Sequence, residues 1–253
     1  MKKEVLDVVA KIAKEAGKAI LSIYESDFSV VYKDDKSPLT EADTKSQEII
    51  KELLEKHFSD IPLLSEEGKT IPYEERSGWS LFWLVDPLDG TKEFVKRNGE
   101  FTVNIALIEN NSPAFGVVYL PVPDILYYGG KRFGAFKKSG NEGAHAISVS
   151  GACPDGELVV VKSRSHPSAE LTKYLEQLKV KKLVPAGSSL KFCLVAEGTA
   201  DLYPRLGPTS EWDTAAGQAV VEGAGGRVVT LDNVPILYNK KNLLNDFFVV
   251  WGC

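Results

Sequence analysis

Asp86 and Asp89 stand in the stretch Phe82 to Phe94, where an apolar run (Phe82 to Val85) leads directly into Asp86, Pro87, Leu88, Asp89, Gly90 and Thr91. This pattern predicts a buried strand ending in a loop that carries two carboxylates. Pro87 fixes its own φ and biases Asp86 towards an extended backbone, so the loop has a restricted shape. Carboxylates placed this way can converge on a hard divalent cation. Gly90 lets the backbone come close to an anion, and Thr91 supplies a hydroxyl at once. An isolated Asp-Gly is ordinary turn chemistry. Here the run is longer, and further acids elsewhere can complete a site for metal-assisted phosphate hydrolysis.

Those further acids are Glu66-Glu67, after the apolar Pro62 to Leu64, and Asp213 in Glu211-Trp212-Asp213-Thr214-Ala215-Ala216-Gly217. Taken alone, Asp213 would cap or charge the first turn of a helix. Glu66-Glu67 alone would be a solvated turn. Asp43 follows Thr40 by three residues, which predicts a capping-box pair at the start of a helix.

The elements that must position these groups can be read from periodicity. Apolar residues from Val5 to Ile23 recur at helical spacing, predicting an amphipathic helix over residues 3–24. A β-rich piece follows at Phe28 to Tyr32, then a polar turn from Lys33 to Pro38 and a second helix from Glu41 to His57. Phe101 to Glu109 and Pro113 to Leu120 flank Asn110-Asn111-Ser112, a hairpin signal. Two further strands, Ile125 to Gly129 and Gly134 to Lys138, extend that antiparallel sheet. Residues 139–157 turn to Gly, Ser and Asn, which marks a domain boundary. Beyond it come strand (Leu158 to Lys162), helix (Ser168 to Leu178), strand, helix (Ser188 to Glu197), strand (Ala200 to Tyr203) and helix (Asp213 to Glu222), an alternation that predicts an α/β unit. The expected division is residues 1–145, α+β with most metal ligands, and 146–253, α/β with the substrate residues and Asp213.

At 253 residues the chain can bury a sizeable core, and its 43% hydrophobic and 26% charged content is ordinary for a globular protein. A net charge of −5 argues against nucleic acid or an anionic membrane as the main partner. It leaves room for a small anionic substrate, since bound cations reverse the local sign. Cys153, Cys193 and Cys253 are odd in number and widely spaced, as free thiols would be, with Cys193 in an apolar helical pattern. No apolar stretch approaches the ~18 residues of a membrane span, and the charged N-terminus is not that of a signal peptide. A cytoplasmic location is expected. His57, His145 and His166 lack metal-ligand spacing, so an oxygen-ligand cation such as Mg²⁺ suits the chain better than Zn²⁺.

The acidic segments, in this order and with Gly225-Gly226 after the last, resemble the inositol-monophosphatase-like superfamily of Mg²⁺-dependent, lithium-sensitive phosphatases. Within it, Leu84 to Phe94, Gly99 to Ala106 and Gly187-Ser188-Ser189-Leu190-Lys191-Phe192-Cys193 resemble the 3′(2′),5′-bisphosphate nucleotidases of bacteria. The resemblance implies an α/β (α+β) fold, a layered α-β-α-β-α sandwich of the inositol monophosphatase and fructose-1,6-bisphosphatase type. It implies that Glu66, Asp86 and the Leu88 carbonyl bind one Mg²⁺, and that Asp86, Asp89 and Asp213 bind a second. A third, weaker ion would lie near Glu66. Gly90 and Thr91 would hold the scissile phosphate. Asp43 and Thr91 would orient and deprotonate the attacking water, with Glu66 also in the catalytic set.

A bisphosphate nucleotide needs a second anion site. Ser188, Ser189 and Lys191, at the start of an expected helix, could supply hydroxyls, N–H groups and an ammonium. The plainer alternative is that Ser188 caps the helix and Lys191 is solvated. Arg205, after Tyr203-Pro204, resembles an arginine near the ligand in family nucleotidases, and His166 resembles a histidine near the adenine. The substrate so implied is the small phosphonucleotide 3′-phosphoadenosine 5′-phosphate, hydrolysed to AMP and phosphate within sulfur metabolism. The alternatives are an inositol or sugar phosphatase, whose Thr-Asn is replaced here by Thr91-Lys92-Glu93, and a catalytically silent binding protein, which would have lost its metal ligands.

Overall fold

The computed structural model describes residues 3–32, 38–152, 155–165 and 168–253. The expected turn from Lys33 to Ser37, Cys153 and the candidate His166 lie outside the described residues.

Two helices precede the first large sheet. They are α1 (Lys3–Tyr24) and α2 (Glu41–His57), separated by the small hairpin β1 (Val30–Tyr32) and β2 (Pro38–Thr40). The sheet elements follow as β3 (Leu63–Ser65), α3 (Tyr73–Arg76), β4 (Leu81–Asp89), α4 (Thr91–Val95), β5 (Thr102–Glu109), β6 (Ser112–Leu120), β7 (Ile125–Gly130), β8 (Gly134–Ser139) and β9 (His145–Ile147). Strands β3 to β9 form one seven-stranded sheet in chain order, antiparallel except for the parallel pair β3/β4. The later elements are β10 (Leu158–Ser163), α5 (Ala169–Leu175), β11 (Val180–Ala186), α6 (Leu190–Ala196), β12 (Leu202–Arg205), a 3₁₀ turn (Glu211–Asp213), α7 (Ala215–Gly223), β13 (Arg227–Thr230) and β14 (Phe248–Trp251). Their five strands make a second sheet in the order β11-β10-β12-β14-β13.

Strand β4 shows how the layers are held. Its side chains alternate, as a pleated strand requires. Trp83 and Val85 enter a core shared with Leu6, Ile12 and Ile50 of α1 and α2. Phe82 and Leu84 face the opposite way, into a core shared with Phe192 of α6 and Val220 of α7. Buried on both faces, the strand has no need of polar alternation, and from Leu81 to Val85 its sequence is accordingly an unbroken apolar run. Helices α6 and α7 therefore lie between the two sheets, with Tyr203, Val228 and Phe248 completing that core from the smaller sheet. On the smaller sheet's other face, Leu158, Val160 and Leu202 pack with Tyr174 and Leu175 of α5. The order is α-β-α-β-α, the architecture that the resemblance implies.

Close approach of these layers depends on missing side chains. A Cβ on Gly116 of β6 would stand 2.4 Å from the Ala216 carbonyl oxygen of α7, and one on Gly217 would stand 2.5 Å from the Phe192 ring.

Several boundaries differ from those that periodicity predicts. The helix expected from Asp213 begins at Ala215, because Asp213 ends a 3₁₀ turn whose backbone it caps itself. The helix expected from Ser188 begins at Leu190, since Ser188 takes a left-handed φ of 49° that no helix interior allows. Strands β13 and β14 and the short helices α3 and α4 carry no period long enough to be read in advance. Among the described residues no helix is long and apolar enough to cross a membrane.

Candidate active site

Strand β3 runs parallel to β4 with Ser65 beside Val85, and the Glu66 N–H continues the ladder to the Val85 carbonyl at 3.2 Å. That register sets Glu66 next to Asp86. Pairing between β4 and β5 is interrupted between Asp86 and Asp89, where the strand bulges. Bulges re-aim side chains, and this one is pinned from α2 by Ser46 Oγ donating to the Pro87 carbonyl at 2.7 Å. Asp213 arrives from the other side. Its Oδ2 accepts the Ser210 N–H at 2.8 Å, so it caps its own turn as the helix-start alternative requires. It also faces the acids of β3 and β4.

Glu66, Asp86 and Asp213 each offer a carboxylate oxygen within 4.8 Å of the others. Asp86 is 1% exposed. Burial, then repulsion from Glu66, Asp89 and Asp213, drives its carboxyl well above the usual range. Asp213 is pushed up to about 8 by burial, Asp89 and Glu66. Converging carboxylates with such mutual repulsion fit a divalent cation, and a group built only from oxygen donors fits Mg²⁺. Leu88 and Asp89 line the same cleft, of about 240 Å³, together with Gly90, Thr91, Ser188, Lys191 and Arg205.

Asp89 is not part of that group of three. Its Oδ2 instead accepts Ser188 Oγ at 2.8 Å and Ser189 Oγ at 3.1 Å. The two hydroxyls expected to greet a phosphate at a helix start are therefore bonded to this carboxylate. Gly90, with φ of 93°, makes the left-handed step into α4 that exposes Thr91. Thr91 Oγ1 donates to Asp43 Oδ1 at 3.0 Å. Burial raises the Asp43 carboxyl, against its hydrogen bonds from Thr40 and Thr91.

Lys191 is 6% exposed, which rules out a solvated helix lysine. Its Nζ donates to the Ser188 carbonyl and lies 5.4 Å from the centre of the Tyr203 ring. Burial pushes its ammonium down to about 8, opposed chiefly by the charge of Asp89. Arg205 donates Nη2 to the Pro208 carbonyl at 2.8 Å, while its buried Nε has no hydrogen-bond partner among the described residues. A buried guanidinium N–H without a partner is an unfilled demand for an acceptor.

Sequence reasoning gave no role to Thr102, Asn104, Tyr203 or Glu93, all buried at or near the cleft. A signal existed for the first two. They are polar residues, two apart, in a strand that is otherwise apolar up to its last residue, Glu109.

The model of the inositol monophosphatase family matches residues 1–246. A Salmonella typhimurium protein named 3′(2′),5′-bisphosphate nucleotidase CysQ is 48% identical over 252 residues, covering 97% of this chain and 98% of that one. The protein of the same name from Escherichia coli K12 is 47% identical over 248 residues, with 97% and 98% covered. Among solved structures, CysQ from Bacteroides thetaiotaomicron, a bacterial member of the same family, superposes with a TM-score of 0.85 at 44% identity, covering 97% of each chain.

Proposed function

The chain belongs to the inositol monophosphatase family, which uses Mg²⁺, and from that premise we propose that it is a 3′(2′),5′-bisphosphate nucleotidase converting 3′-phosphoadenosine 5′-phosphate to AMP and phosphate. The observation that carries this reading is the placement of a buried ammonium, Lys191, in the same cleft as the Glu66, Asp86 and Asp213 carboxylates. One end of the cleft suits cations and a reacting phosphate, the other a second anion.

Glu66, Asp86, Asp89, Asp213 and the Leu88 carbonyl would hold two Mg²⁺, with a third ion near Glu66. Bound there, Mg²⁺ neutralises the transferring phosphoryl group, lowers the pKa of water and stabilises the leaving oxygen. The chain's own residues do the rest. Asp43 Oδ1 holds the Thr91 hydroxyl proton, which turns the Thr91 oxygen lone pair towards the attacking water. A carboxylate made more basic by burial is the better acceptor for the water's proton, relayed through Thr91. Gly90 and Thr91 seat the scissile phosphate. Lys191 and Arg205 bind the phosphate that does not react, so fixing which ester lies over the carboxylates. Ser188 and Ser189 contribute through Asp89 and the Ser188 carbonyl. Lithium, as is typical of the family, inhibits.

The test is phosphate release from 3′-phosphoadenosine 5′-phosphate, inositol 1-phosphate and fructose 1,6-bisphosphate under one set of Mg²⁺ conditions. The bisphosphate nucleotide should have the highest kcat/KM. Preference for either of the others would replace this reading with that of an inositol or sugar phosphatase.

A further inference from the structure

One face of the β5 segment reads the loop before α6 residue by residue. Glu100 Oε2 accepts the Gly187 N–H at 2.8 Å. Two residues on, Thr102 Oγ1 is hydrogen-bonded to Ser188 Oγ. Two further on, Asn104 Nδ2 donates to Ser189 Oγ at 3.0 Å. The strand period of two thus matches three successive loop residues. Thr102, Asn104, Ser188 and Ser189 are all 9% exposed or less.

A hydroxyl has one proton and two lone pairs, so each one can link two neighbours. Ser188 Oγ donates to Asp89 Oδ2 at 2.8 Å and shares a short hydrogen bond with Thr102 Oγ1, which also lies 3.0 Å from its acceptor Asn104 Oδ1. Ser189 Oγ accepts from Asn104 and lies 3.1 Å from both Asp89 Oδ2 and the Asp213 carbonyl oxygen. Asn104 Nδ2 also approaches Asp89 Oδ2, at 3.5 Å. Ser188, Ser189 and Asn104 thus all approach one oxygen of Asp89, and the bonds of such a network strengthen one another. Ser188 meanwhile holds a left-handed φ of 49° and gives its carbonyl to Lys191 Nζ.

We infer that Thr102, Asn104, Ser188 and Ser189 are positioning residues for Asp89: they fix Oδ2 from the far side and leave the other oxygen for the cation. The same loop ties Asp89 to Lys191 through the Ser188 carbonyl. This rests on Asp89 being a metal ligand.

The experiment measures Mn²⁺ binding by electron paramagnetic resonance, without substrate, in the native chain and in Ser188→Ala, Ser189→Ala, Asn104→Ser and Asp89→Asn. Each serine variant loses one oxygen, so at least one folded variant is available even if the buried Asn104 tolerates no change. Partners of a ligating carboxylate typically control affinity by about 10–100-fold. Ser189→Ala should therefore weaken Mn²⁺ at least tenfold at unchanged cooperativity of melting. It should lower kcat/KM equally for 3′-phosphoadenosine 5′-phosphate and adenosine 3′-monophosphate. Thr102→Ser should bind Mn²⁺ as the native chain does, and Thr102→Val should not. Unchanged Mn²⁺ affinity in the serine variants, with losses confined to the bisphosphate, would make the serines phosphate ligands and overturn the inference. An Asp89→Asn variant that binds Mn²⁺ normally would overturn it together with the metal assignment beneath it.

Discussion

Thr91 Oγ1 lies 3.0 Å from Asp43 Oδ1, across 48 residues of chain, while the other Asp43 oxygen accepts both the Thr40 N–H and the Thr40 hydroxyl at 2.7 Å. One carboxylate divides its work by oxygen atom. Oδ2 closes the capping box of α2, and Oδ1 serves the cleft. The helix-cap and catalytic readings of Asp43 are thus not competitors.

That division predicts different costs for two substitutions. Asp43→Asn keeps an acceptor for the cap but not a base, so kcat should fall by about 10²–10⁴ with little change in melting. Asp43→Ala loses the cap as well and should cost about 1 kcal/mol of stability. Thr91→Ala should lower kcat while Mg²⁺ dependence stays nearly constant. An effect of either Asp43→Asn or Thr91→Ala confined to Mg²⁺ affinity would remove both residues from the proton path.

Lys191→Ala should reduce kcat/KM for 3′-phosphoadenosine 5′-phosphate by about 10–150-fold, the equivalent of a charge-assisted contact worth roughly 1.5–3 kcal/mol. Hydrolysis of adenosine 3′-monophosphate should hardly change. With the ammonium pushed down to about 8, the charged form is present below that pH and lost above it. The native preference for the bisphosphate should therefore decline as pH rises past 8, and the decline should be absent in Lys191→Ala. Kinetics of both substrates from pH 6.5 to 9.5 decide the matter.

In metal-free protein, Asp213 titrates at about 8 in the folded state against an ordinary 3.8. Between those values the folded chain holds a proton that the unfolded chain has released. The contribution of Asp213 to stability therefore falls as pH rises from about 4 to 8. Asp213→Asn removes this term, so in chelator its melting temperature should exceed the native one by more at pH 8 than at pH 5. Added Mg²⁺ should stabilise the native chain most at pH 8. Calorimetry at the two pH values, with and without Mg²⁺, shows whether the gap widens as stated.

Gly187→Ala should damage the cleft by shape alone. The added Cβ would stand 2.8 Å from Glu93 Cγ and 2.9 Å from the Glu100 carbonyl oxygen. Overpacking of this kind costs roughly 1–3 kcal/mol, and the loop carrying Ser188 and Lys191 must shift. Turnover of both substrates should fall together. A loss on the bisphosphate alone would show that only Lys191 had moved.

Much of this protein was determined by local sequence. The period of α1, the apolar run that opens β4 and the hairpin at Asn110-Asn111 follow from burial and turn chemistry, which act over a few residues. The acids of the cleft are legible for the same reason, because Asp86, Pro87, Asp89 and Gly90 stand together where that run ends, although the expected loop is a bulged continuation of β4 as far as Asp89. What only the tertiary structure decided is which partner each polar atom meets. Ser188 and Ser189 look like helix-start hydroxyls in sequence, yet Asp89, 99 and 100 residues away, accepts both. Lys191 looks solvated until α6 is buried between two sheets, where Tyr203 covers it. Thr102 and Asn104 gain a purpose only when β5 faces the loop from Gly187 to Ser189. A hydrogen bond depends on distances fixed by packing of the whole chain, and no local pattern contains them.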